Sequence, residues 1–441
     1  MDDFAPASSR VAEIERVLPR ETEFVRDLRN PNRFLVARKV FTDDQVLRAE
    51  RDRVFNKCWI YVGHVSEIPK PGDFVAREVA GRPVLFTRNA QGEYRVLLNS
   101  CSHRGAEVCR ERRGNQRRFR CFYHSWSFSN DGALVSMPDE SGFPEGFRKE
   151  DHGLAQPYAV DDYRGFVFAT FNPEQEPLVD YLADATYYLD LTADQAPGEA
   201  GMVVTAGTHE YSMRSNWKLL AENSSDGYHA IPVHKTYLDV QKTKGDTIAG
   251  STDKDWKESH AFDLGNGHTV TVKQAPWGRP IARWKPSMGA DTKEIVEASY
   301  ERLVAANGKD RAELIANLDF NMLIFPNLVI NNIMAVIIRT FYPQAPGELN
   351  VTAWSLAPGD EPAEARHVRN ESFLSFLGPA GLATPDDNEA LESCQRGYAA
   401  RPGEGWNDVS RGMDKFDPPN WDELQMRTFW RRWDELMGGK A

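Results

Sequence analysis

Cys101-Ser102-His103 and, seventeen residues later, Cys121-Phe122-Tyr123-His124 form the most informative stretch of this 441-residue chain. Each of these two arms carries one thiol and one imidazole. Two thiolates and two imidazoles suit a [2Fe–2S] cluster in which both cysteines bind one iron and both histidines bind the other. Because neutral imidazoles replace two anionic ligands, such clusters have reduction potentials of about −150 to +300 mV. The arms therefore predict a metal centre that carries electrons.

A tetrahedral zinc site is the alternative, because zinc accepts two cysteines and two histidines. Zinc sites usually pair cysteine with cysteine and histidine with histidine within an arm. Here both arms are mixed, so each can contact both irons: Cys101 and Cys121 would bind one iron, and His103 and His124 the other. The mixed arms favour the iron–sulfur cluster, and zinc remains the alternative.

Length and composition indicate a globular chain of two or three domains. Hydrophobic residues make up 41% of the chain and aromatic residues 11%, which argues against disorder. The net charge of −12 gives nucleic acid no overall electrostatic attraction. No apolar run reaches the roughly 18 residues of a membrane helix, and the acidic start does not resemble a secretory signal. The cysteines outside the arms (Cys58, Cys109 and Cys394) make no disulfide framework, so we expect a cytoplasmic protein that contacts no membrane.

Hydrophobic patterning predicts an α+β chain with two domains after a lead-in. Residues 1–40 are a polar lead-in with a weak helix near residues 11–17. A helix over residues 41–59 precedes short β-type runs at 74–79, 83–87, 94–98 and 165–171, which predict an antiparallel β domain over residues 41–175. Residues 176–441 mix helices with long strands, including one strand over 329–339 and another over 349–356. Residues 241–295 are expected to be rich in loops.

Two histidines, His229 and His234, mark a second candidate site. Five residues apart, they would face different sides of a regular helix, because a shared face needs a spacing of three or four. Pro232 lies between them and interrupts a helix, so the two imidazoles could still converge. With one carboxylate they would form a facial iron(II) site that leaves positions open for O₂ and substrate. The spacing alone is a weak signal.

Taken together, these motifs resemble those of the Rieske non-haem iron ring-hydroxylating oxygenases. The resemblance rests on Arg104-Gly105 after the first arm, on residues 125–128 (Ser-Trp-Ser-Phe) after the second, and on residues 216–229, and it spans roughly residues 40–436. It implies an N-terminal antiparallel-β Rieske [2Fe–2S] domain and a C-terminal catalytic domain whose antiparallel sheet is flanked by helices. The implied cofactors are the Rieske cluster, bound by the four residues of the arms, and mononuclear Fe(II).

The resemblance also implies the ligands of the mononuclear iron. His229 and His234 would bind it together with an aspartate on a late helix. Residues 384–389 begin such a helix, since Thr384 can cap it, a proline follows, and acidic side chains complement its N-terminus. The match of residues 378–381 to the family favours Asp387 as the ligand. Asp386 remains the alternative, and both carboxylates could simply stabilise the start of the helix.

Asp226 receives a catalytic role from the same resemblance. It would accept a hydrogen bond from His229 and another from His124 of a neighbouring subunit, which fixes the orientation of both imidazoles. Electron transfer between the two metal centres would then require a ring of subunits. A solvated surface aspartate is the alternative.

Segments at 387–397, 406–412 and 430–436 most resemble the large (α) subunits of the benzoate and p-cumate dioxygenase group. This implies the terminal oxygenase component of a multicomponent dioxygenase that cis-dihydroxylates an aromatic carboxylate with O₂. Electrons would come from NAD(P)H through a reductase, directly or through a ferredoxin. A small β subunit is implied in an α₃β₃ assembly, with α₃ as the alternative. A mono-oxygenase or demethylase, a dioxygenase of uncharged aromatic hydrocarbons, and a simple electron-transfer protein are the other candidates.

Two sets of positively charged residues have more than one possible role. Arginines around the arms could steer an acidic electron donor or pair across a subunit interface: Arg104, Arg110, Arg112, Arg113, Arg117, Arg118 and Arg120. By resemblance, the substrate cavity should be lined by residues after Asn223, by residues 329–334 and by residues 373–383. A cation there would indicate a carboxylate substrate, and the candidates are Arg214, Arg283, Lys285 and Arg339. The sequence does not choose among these four, nor does it identify the ring substrate.

Overall fold

The computed structural model describes residues 22–196, 198–205, 207–244, 259–274 and 279–438, and the weak helix expected near residues 11–17 lies outside them. The chain divides into two compact units. The smaller unit is Phe55–Leu178, and the larger unit combines the chain before residue 55 with the chain after residue 178. Strands pair antiparallel in both units and helices lie between them, so the fold class is α+β, as predicted.

The lead-in carries regular structure in its described part, where we expected none. β1 (Val25–Arg29) and β2 (Asn32–Ala37) form an antiparallel hairpin, and β2 also pairs with residues 406–408. Phe34 and Val36 on β2 are fully buried. The polar residues around them hid this short apolar run. The hairpin therefore belongs to the folded core of the larger unit.

A short helix follows the hairpin. α1 (Asp44–Glu50) begins after Asp43, whose side chain accepts the backbone N–H of Gln45, and a π-helical turn over Arg51–Phe55 continues it. We expected residues 41–54 to belong to the cluster domain over residues 41–175, but they are part of the larger unit. The reason is that Glu50 is completely buried in that unit.

The smaller unit consists of short antiparallel strands in three sheets, with strand orders β6-β5-β4-β7, β10-β9-β8 and β11-β12-β3. These strands are β3 (Ile60–His64), β4 (Asp73–Val79), β5 (Arg82–Arg88), β6 (Tyr94–Leu98), β7 (Arg113–Asn115), β8 (Arg118–Arg120), β9 (Ser127–Ser129), β10 (Leu134–Ser136), β11 (Ala159–Tyr163) and β12 (Phe166–Thr170). The runs predicted as strands at 74–79, 83–87, 94–98 and 165–171 correspond to β4, β5, β6 and β12.

The larger unit is organised around one antiparallel sheet with the order β13-β20-β19-β18-β17-β16-β15, in which β14 also pairs with β20. Its strands are β13 (Met202–Val204), β14 (His209–Met213), β15 (His260–Asp263), β16 (Thr269–Gln274), β17 (Leu318–Ile324), β18 (Leu328–Asn332), β19 (Val336–Ala345), β20 (Glu348–Pro358) and, outside this sheet, β21 (Trp406–Asp408).

Helices of the larger unit lie between these strands. They are α2 (Leu178–Leu182), α3 (Ala185–Ala193), α4 (Trp217–Asn223), α5 (Ala230–Val233), α6 (Lys235–Thr243), α7 (Lys293–Asn307), α8 (Lys309–Asn317), α9 (Ala363–Phe376), α10 (Thr384–Tyr398) and α11 (Leu424–Met437). Within the described ranges, no helix combines the length and the apolar character needed to cross a membrane.

One sequence prediction for this unit was wrong. Residues 329–339 do not form one strand: β18 and β19 are separate, pair with each other, and are joined by residues 333–335. Both strands are buried, so the apolar run continues through the turn and hides it. The described part of residues 241–295, expected to be loop-rich, contributes β15 and β16 to the sheet.

A buried charge holds together three segments of the larger unit. The carboxylate of Glu50 lies 2.6 Å from Nζ of Lys218, and both side chains are completely buried. It also accepts indole N–H groups from Trp217 at 2.8 Å and Trp433 at 2.9 Å. α1, α4 and α11 are therefore joined at one point. The two indole N–H groups supply the additional hydrogen bonds that a buried carboxylate in an ion pair needs.

We expect Glu50→Ala to lower the free energy of unfolding of the larger unit by about 3–5 kcal/mol, because the ammonium of Lys218 would stay buried without its counter-charge. Urea unfolding followed by tryptophan fluorescence would measure the change. As the control, Asp239→Ala breaks an exposed pair with Lys235 and should change the free energy by less than about 1 kcal/mol. Equal, small effects of both substitutions would contradict this account of the core.

Candidate metal centres

The two arms of the smaller unit adopt the same backbone conformation. The N–H of Cys101 donates to the carbonyl of Ala106 at 2.8 Å, and the N–H of Cys121 donates to the carbonyl of Trp126 at 2.8 Å. The residue four positions after each cysteine has a positive φ: 73° for Gly105 and 62° for Ser125. Each arm is thus a tight loop, and the repeated geometry presents two equivalent sets of side chains.

The four predicted cluster residues converge between these loops. The rings of His103 and His124 lie 4.5 Å apart, and His103 stacks on the buried Trp126 at 4.8 Å. Burial is the largest influence on the Cys101 thiol and raises its pKa, and the adjacent Cys121 thiol adds to this effect. Burial, together with the positive charges of His124 and Arg104, lowers the pKa of His103. His103 is therefore held neutral, which is the form that binds a metal.

These residues fit an iron–sulfur cluster. Nδ1 of His103 is buried and has no hydrogen-bond partner among the residues that the structure describes, as expected of an atom reserved for a metal. Both thiols are buried and free of disulfides. Cys109 is also buried but lies in the hydrophobic core beside the arms, as a structural thiol should. The seven arginines near the arms are all exposed.

The second site is built around a broken helix. α5 is a single turn that ends at Val233. The next residue, His234, has φ −91° and ψ 30°, and α6 begins at Lys235. The break lies two residues after Pro232. It brings the rings of His229 and His234 to 5.2 Å from each other, which a continuous helix would not allow.

Asp387 completes this group from α10. Its Oδ1 lies 3.3 Å from Nε2 of His229 and 3.4 Å from Nε2 of His234, and one ligand atom from each residue falls within 4.8 Å of the others. Asp386, the alternative, is not part of this group. The expected cap by Thr384 was wrong, because its hydroxyl donates instead to the carbonyl of Leu377 at 2.9 Å.

Asp226 and Asn223 hold this group in place. Oδ2 of Asp226 accepts Nδ1–H of His229 at 2.9 Å, which leaves Nε2 of that ring directed at Asp387. Asn223 donates to Oδ1 of Asp387 at 3.2 Å. Burial lowers the pKa of His229, but its hydrogen bonds to both carboxylates outweigh burial and raise the pKa to about 9. Burial lowers the pKa of His234. Two imidazoles and one carboxylate in this arrangement fit an iron(II) ion with open positions.

A cavity of about 110 Å³ opens beside the three residues. One wall is the sheet, where the register aligns polar side chains of four neighbouring strands on one face. Thr271 pairs with Asn321, Lys273 with Asp319, Asn321 with Asn331, and Val329 with Arg339. The lining also includes Ser224, Tyr237, Phe376 and Leu377. Residues from all three predicted segments line the cavity.

Of the four candidate cations, only Arg339 lines this cavity in the described part of the chain. Arg214 is exposed, and Arg283 forms an ion pair with Glu313. Lys285 also lies outside the cavity lining. The sequence analysis missed Lys273, whereas Asn331 lies in the segment 329–334 that it predicted to line the cavity. The alternation of residues 269–273 (Thr-Val-Thr-Val-Lys) is a strand signal that could have identified Lys273.

Comparisons with known proteins agree with this geometry. Residues 58–150 match the Rieske [2Fe-2S] domain, and residues 202–439 match the ring hydroxylating alpha subunit (catalytic domain). The chain is 34% identical over 397 residues to the 2-halobenzoate 1,2-dioxygenase large subunit of Burkholderia cepacia, covering 88% of this chain and 81% of that protein. It is 33% identical over 386 residues to the toluate 1,2-dioxygenase subunit alpha of Pseudomonas putida, covering 85% and 81%.

A solved structure is similar over the whole chain. The naphthalene 1,2-dioxygenase from Rhodococcus sp. bound to indole has a TM-score of 0.80 and 26% identity, covering 99% of both chains. The chain therefore belongs to the α subunits of the Rieske non-haem iron ring-hydroxylating dioxygenases, which are oxidoreductases. Its cofactors are a Rieske [2Fe–2S] cluster and a mononuclear iron.

We expect Asp387→Ala to lose the mononuclear iron and turnover while it keeps the cluster, because two imidazoles alone hold iron(II) weakly. Iron content per chain and the visible spectrum of the cluster would measure both metals. Asp386→Ala is the matched control and should keep both. Full iron content in Asp387→Ala, or its loss in Asp386→Ala, would reverse the assignment.

Proposed function

We propose that this chain is the α subunit of a terminal oxygenase that cis-dihydroxylates an aromatic carboxylate. His229, His234 and Asp387 would hold the mononuclear iron, and Cys101, His103, Cys121 and His124 would hold the cluster. Iron bound in this site supplies the activation of O₂ that adds both oxygen atoms to one face of a ring. The protein's task is then to select the ring and hold it beside the open positions.

Arg339 carries the argument for a carboxylate substrate. Its side chain is 6% exposed, and Nη2 donates to Oγ of Ser224 at 3.0 Å. Nε is buried and finds no hydrogen-bond acceptor among the described residues. A buried guanidinium with an unused N–H group favours an anionic acceptor, and a carboxylate suits its geometry. An uncharged hydrocarbon would leave this charge without a partner, at a considerable energetic cost.

The charges around the cavity also favour an anionic substrate. Away from the iron site, the charged described residues of the lining are Lys273, Asp319 and Arg339. Asp319 lies 3.6 Å from the buried Arg279, so its charge is already shared with a cation outside the cavity. Burial lowers the pKa of Lys273 to about 8, and the charge of Asp319 opposes this. The net charge of these three side chains is therefore positive, and an anionic substrate would offset it.

The position of Arg339 also suggests how the ring is oriented. Its partner Ser224 directly follows Asn223, whose side chain contacts both His229 and Asp387. A carboxylate held by Arg339 would therefore direct the attached ring towards the iron site. Binding at one charged point, together with apolar contacts from Ile333, Met334 and Phe376, would restrict which ring carbons face the iron.

Members of this family work with a reductase or ferredoxin and with a β subunit. For this chain we propose electrons from NAD(P)H, delivered by such partners, and an α₃β₃ assembly. We further propose that Asp226 connects His229 to His124 of a neighbouring subunit. The hydrogen bond from His229 uses one oxygen of Asp226, and the backbone N–H of Tyr228 donates to the other at 2.7 Å.

Product analysis tests the function. Pre-reduced protein is given ¹⁸O₂ with benzoate, p-isopropylbenzoate or naphthalene, and products are identified by mass spectrometry. A carboxylated cis-diol that carries two labelled oxygens is the expected product. One labelled oxygen per product would indicate a mono-oxygenase, and reaction with naphthalene alone would overturn the carboxylate proposal.

Arg339→Met should weaken benzoate binding by about tenfold to a hundredfold, because it removes a hydrogen-bonded charge of the kind that contributes about 1.5–3 kcal/mol. Titration calorimetry under anaerobic conditions would measure the dissociation constant separately from turnover. Arg214→Met, at an exposed position, is the matched control and should bind benzoate like the wild type. Equal affinities in all three proteins would remove Arg339 from the substrate site.

Asp226→Asn should keep both metals but form product about 10–100 times more slowly, since the amide cannot replace the carboxylate that orients His229. Single-turnover kinetics of the reduced protein would measure this, with iron content and cluster absorption recorded on the same sample. Asp239→Asn, on the exposed face of α6, is the control. Unchanged single-turnover rates in Asp226→Asn would reject the connection between subunits.

A further inference from the structure

A pair of amides lies on the sheet wall of the cavity. Asn321 on β17 and Asn331 on β18 are directly opposite in the register, and both line the cavity. Nδ2 of Asn331 donates to Oδ1 of Asn321 at 2.6 Å. Directly opposed side chains on one face of an antiparallel sheet are close enough for such a bond. The two amides thus form one polar unit on this wall.

This amide pair has an unused hydrogen-bond acceptor. Asn331 is 4% exposed, and its Oδ1 is buried without a hydrogen-bond partner in the described part of the chain. One N–H···O bond joins the two amides with Asn331 as the donor, so the carbonyl oxygen of Asn331 is the buried atom left without a donor. Buried polar groups of native proteins nearly always have a partner, so this oxygen requires an explanation.

We infer that the substrate carries an amino or hydroxyl group on its ring, besides the carboxylate, and that this group donates a hydrogen bond to the Asn321–Asn331 pair. The inference rests on the proposed function, because it takes the same cavity as the substrate site. It narrows the substrate from aromatic carboxylates in general to those with a hydrogen-bond donor. A methyl or halogen substituent at the same ring position would leave the amide oxygen unpaired.

The sheet register supports recognition at two points. Arg339 lies opposite Val329, two residues before Asn331, so Arg339 and Asn331 are diagonal neighbours on adjacent strands. Such neighbours are separated by about 7–8 Å, which one ring with two substituents can span. A cation and a neutral acceptor are therefore held side by side on a rigid wall. Their complement is a molecule with an anion and a hydrogen-bond donor on one ring.

The experiment compares matched ring substituents. Dissociation constants of the wild-type holoenzyme are measured by anaerobic calorimetry for benzoate, for the three aminobenzoates and for the three methylbenzoates, and turnover is followed by O₂ uptake. We expect at least one aminobenzoate to bind about tenfold to a hundredfold more tightly than the methylbenzoate substituted at the same position. The ring position with the largest ratio would locate the amide pair relative to the carboxylate.

The second part of the experiment uses Asn331→Leu, because leucine has a similar size but no amide. The ratio between the preferred aminobenzoate and its methyl counterpart should fall to near one. Asn350→Leu makes the same change at an exposed position of β20 in the same sheet and should keep the wild-type ratio. The wild-type comparison remains decisive even where Asn331→Leu yields no folded protein.

The possible failures are distinguishable. When benzoates bind and react but amino and methyl substituents are equivalent, the amide inference is overturned and the proposed function stands. An amino preference that persists in Asn331→Leu also overturns it. When no aromatic carboxylate binds, the proposed function itself fails, whatever the ratio between substituents.

Discussion

The buried carboxylate of Glu50 underlies the geometry of the iron site. It accepts hydrogen bonds from Lys218, Trp217 and Trp433, and so ties α4 to α1 and α11. Charges without water must be fully paired, and this requirement permits little variation in the position of α4. The end of α4 carries Asn223, which contacts both His229 and Asp387. A network made entirely of buried groups therefore sets the position from which the iron ligands are held.

Hydrogen bonds around the iron site then select the chemical form of each ligand. Asp226 takes the Nδ1–H of His229, so Nε2 is directed at Asp387. Burial keeps His234 neutral by lowering its pKa. Without a metal, the two carboxylates raise the pKa of His229 to about 9, so an iron ion would replace a proton between the same groups. Surrounding residues thus prepare a site whose charge balance is completed by a cation.

The cavity beside this site combines an apolar side with a polar sheet wall. Four adjacent strands direct every second side chain towards the cavity, and the register brings Lys273, Asn331 and Arg339 onto the same face. Because the wall is a continuous hydrogen-bonded sheet, these groups cannot move independently. Specificity can therefore arise from fixed positions of charge and hydrogen-bonding groups on this wall.

Local sequence patterns were sufficient for the features that depend on neighbouring residues. The arms at Cys101 and Cys121 are short loops whose candidate ligands are close in the chain. Pro232 predicts the interruption of the helix between His229 and His234. The composition and the alternation of the β runs predicted the fold class and β4, β5 and β6. Asp387 lies far along the chain, and it was favoured over Asp386 by resemblance to the family, not by any local pattern.

Features that depend on distant pairing could not be predicted in the same way. The turn between β18 and β19 is hidden because both strands are buried and the apolar run continues across it. The assignment of α1 to the larger unit follows from the partners of Glu50, which lie more than 160 residues away. The choice of Arg339 among four cations, and its alignment with Asn331, arise only when strand register brings them to one face. Sequence thus predicted the fold class and the candidate metal-binding residues, whereas the polar wall of the cavity is specified by long-range strand pairing, which leaves no local signature.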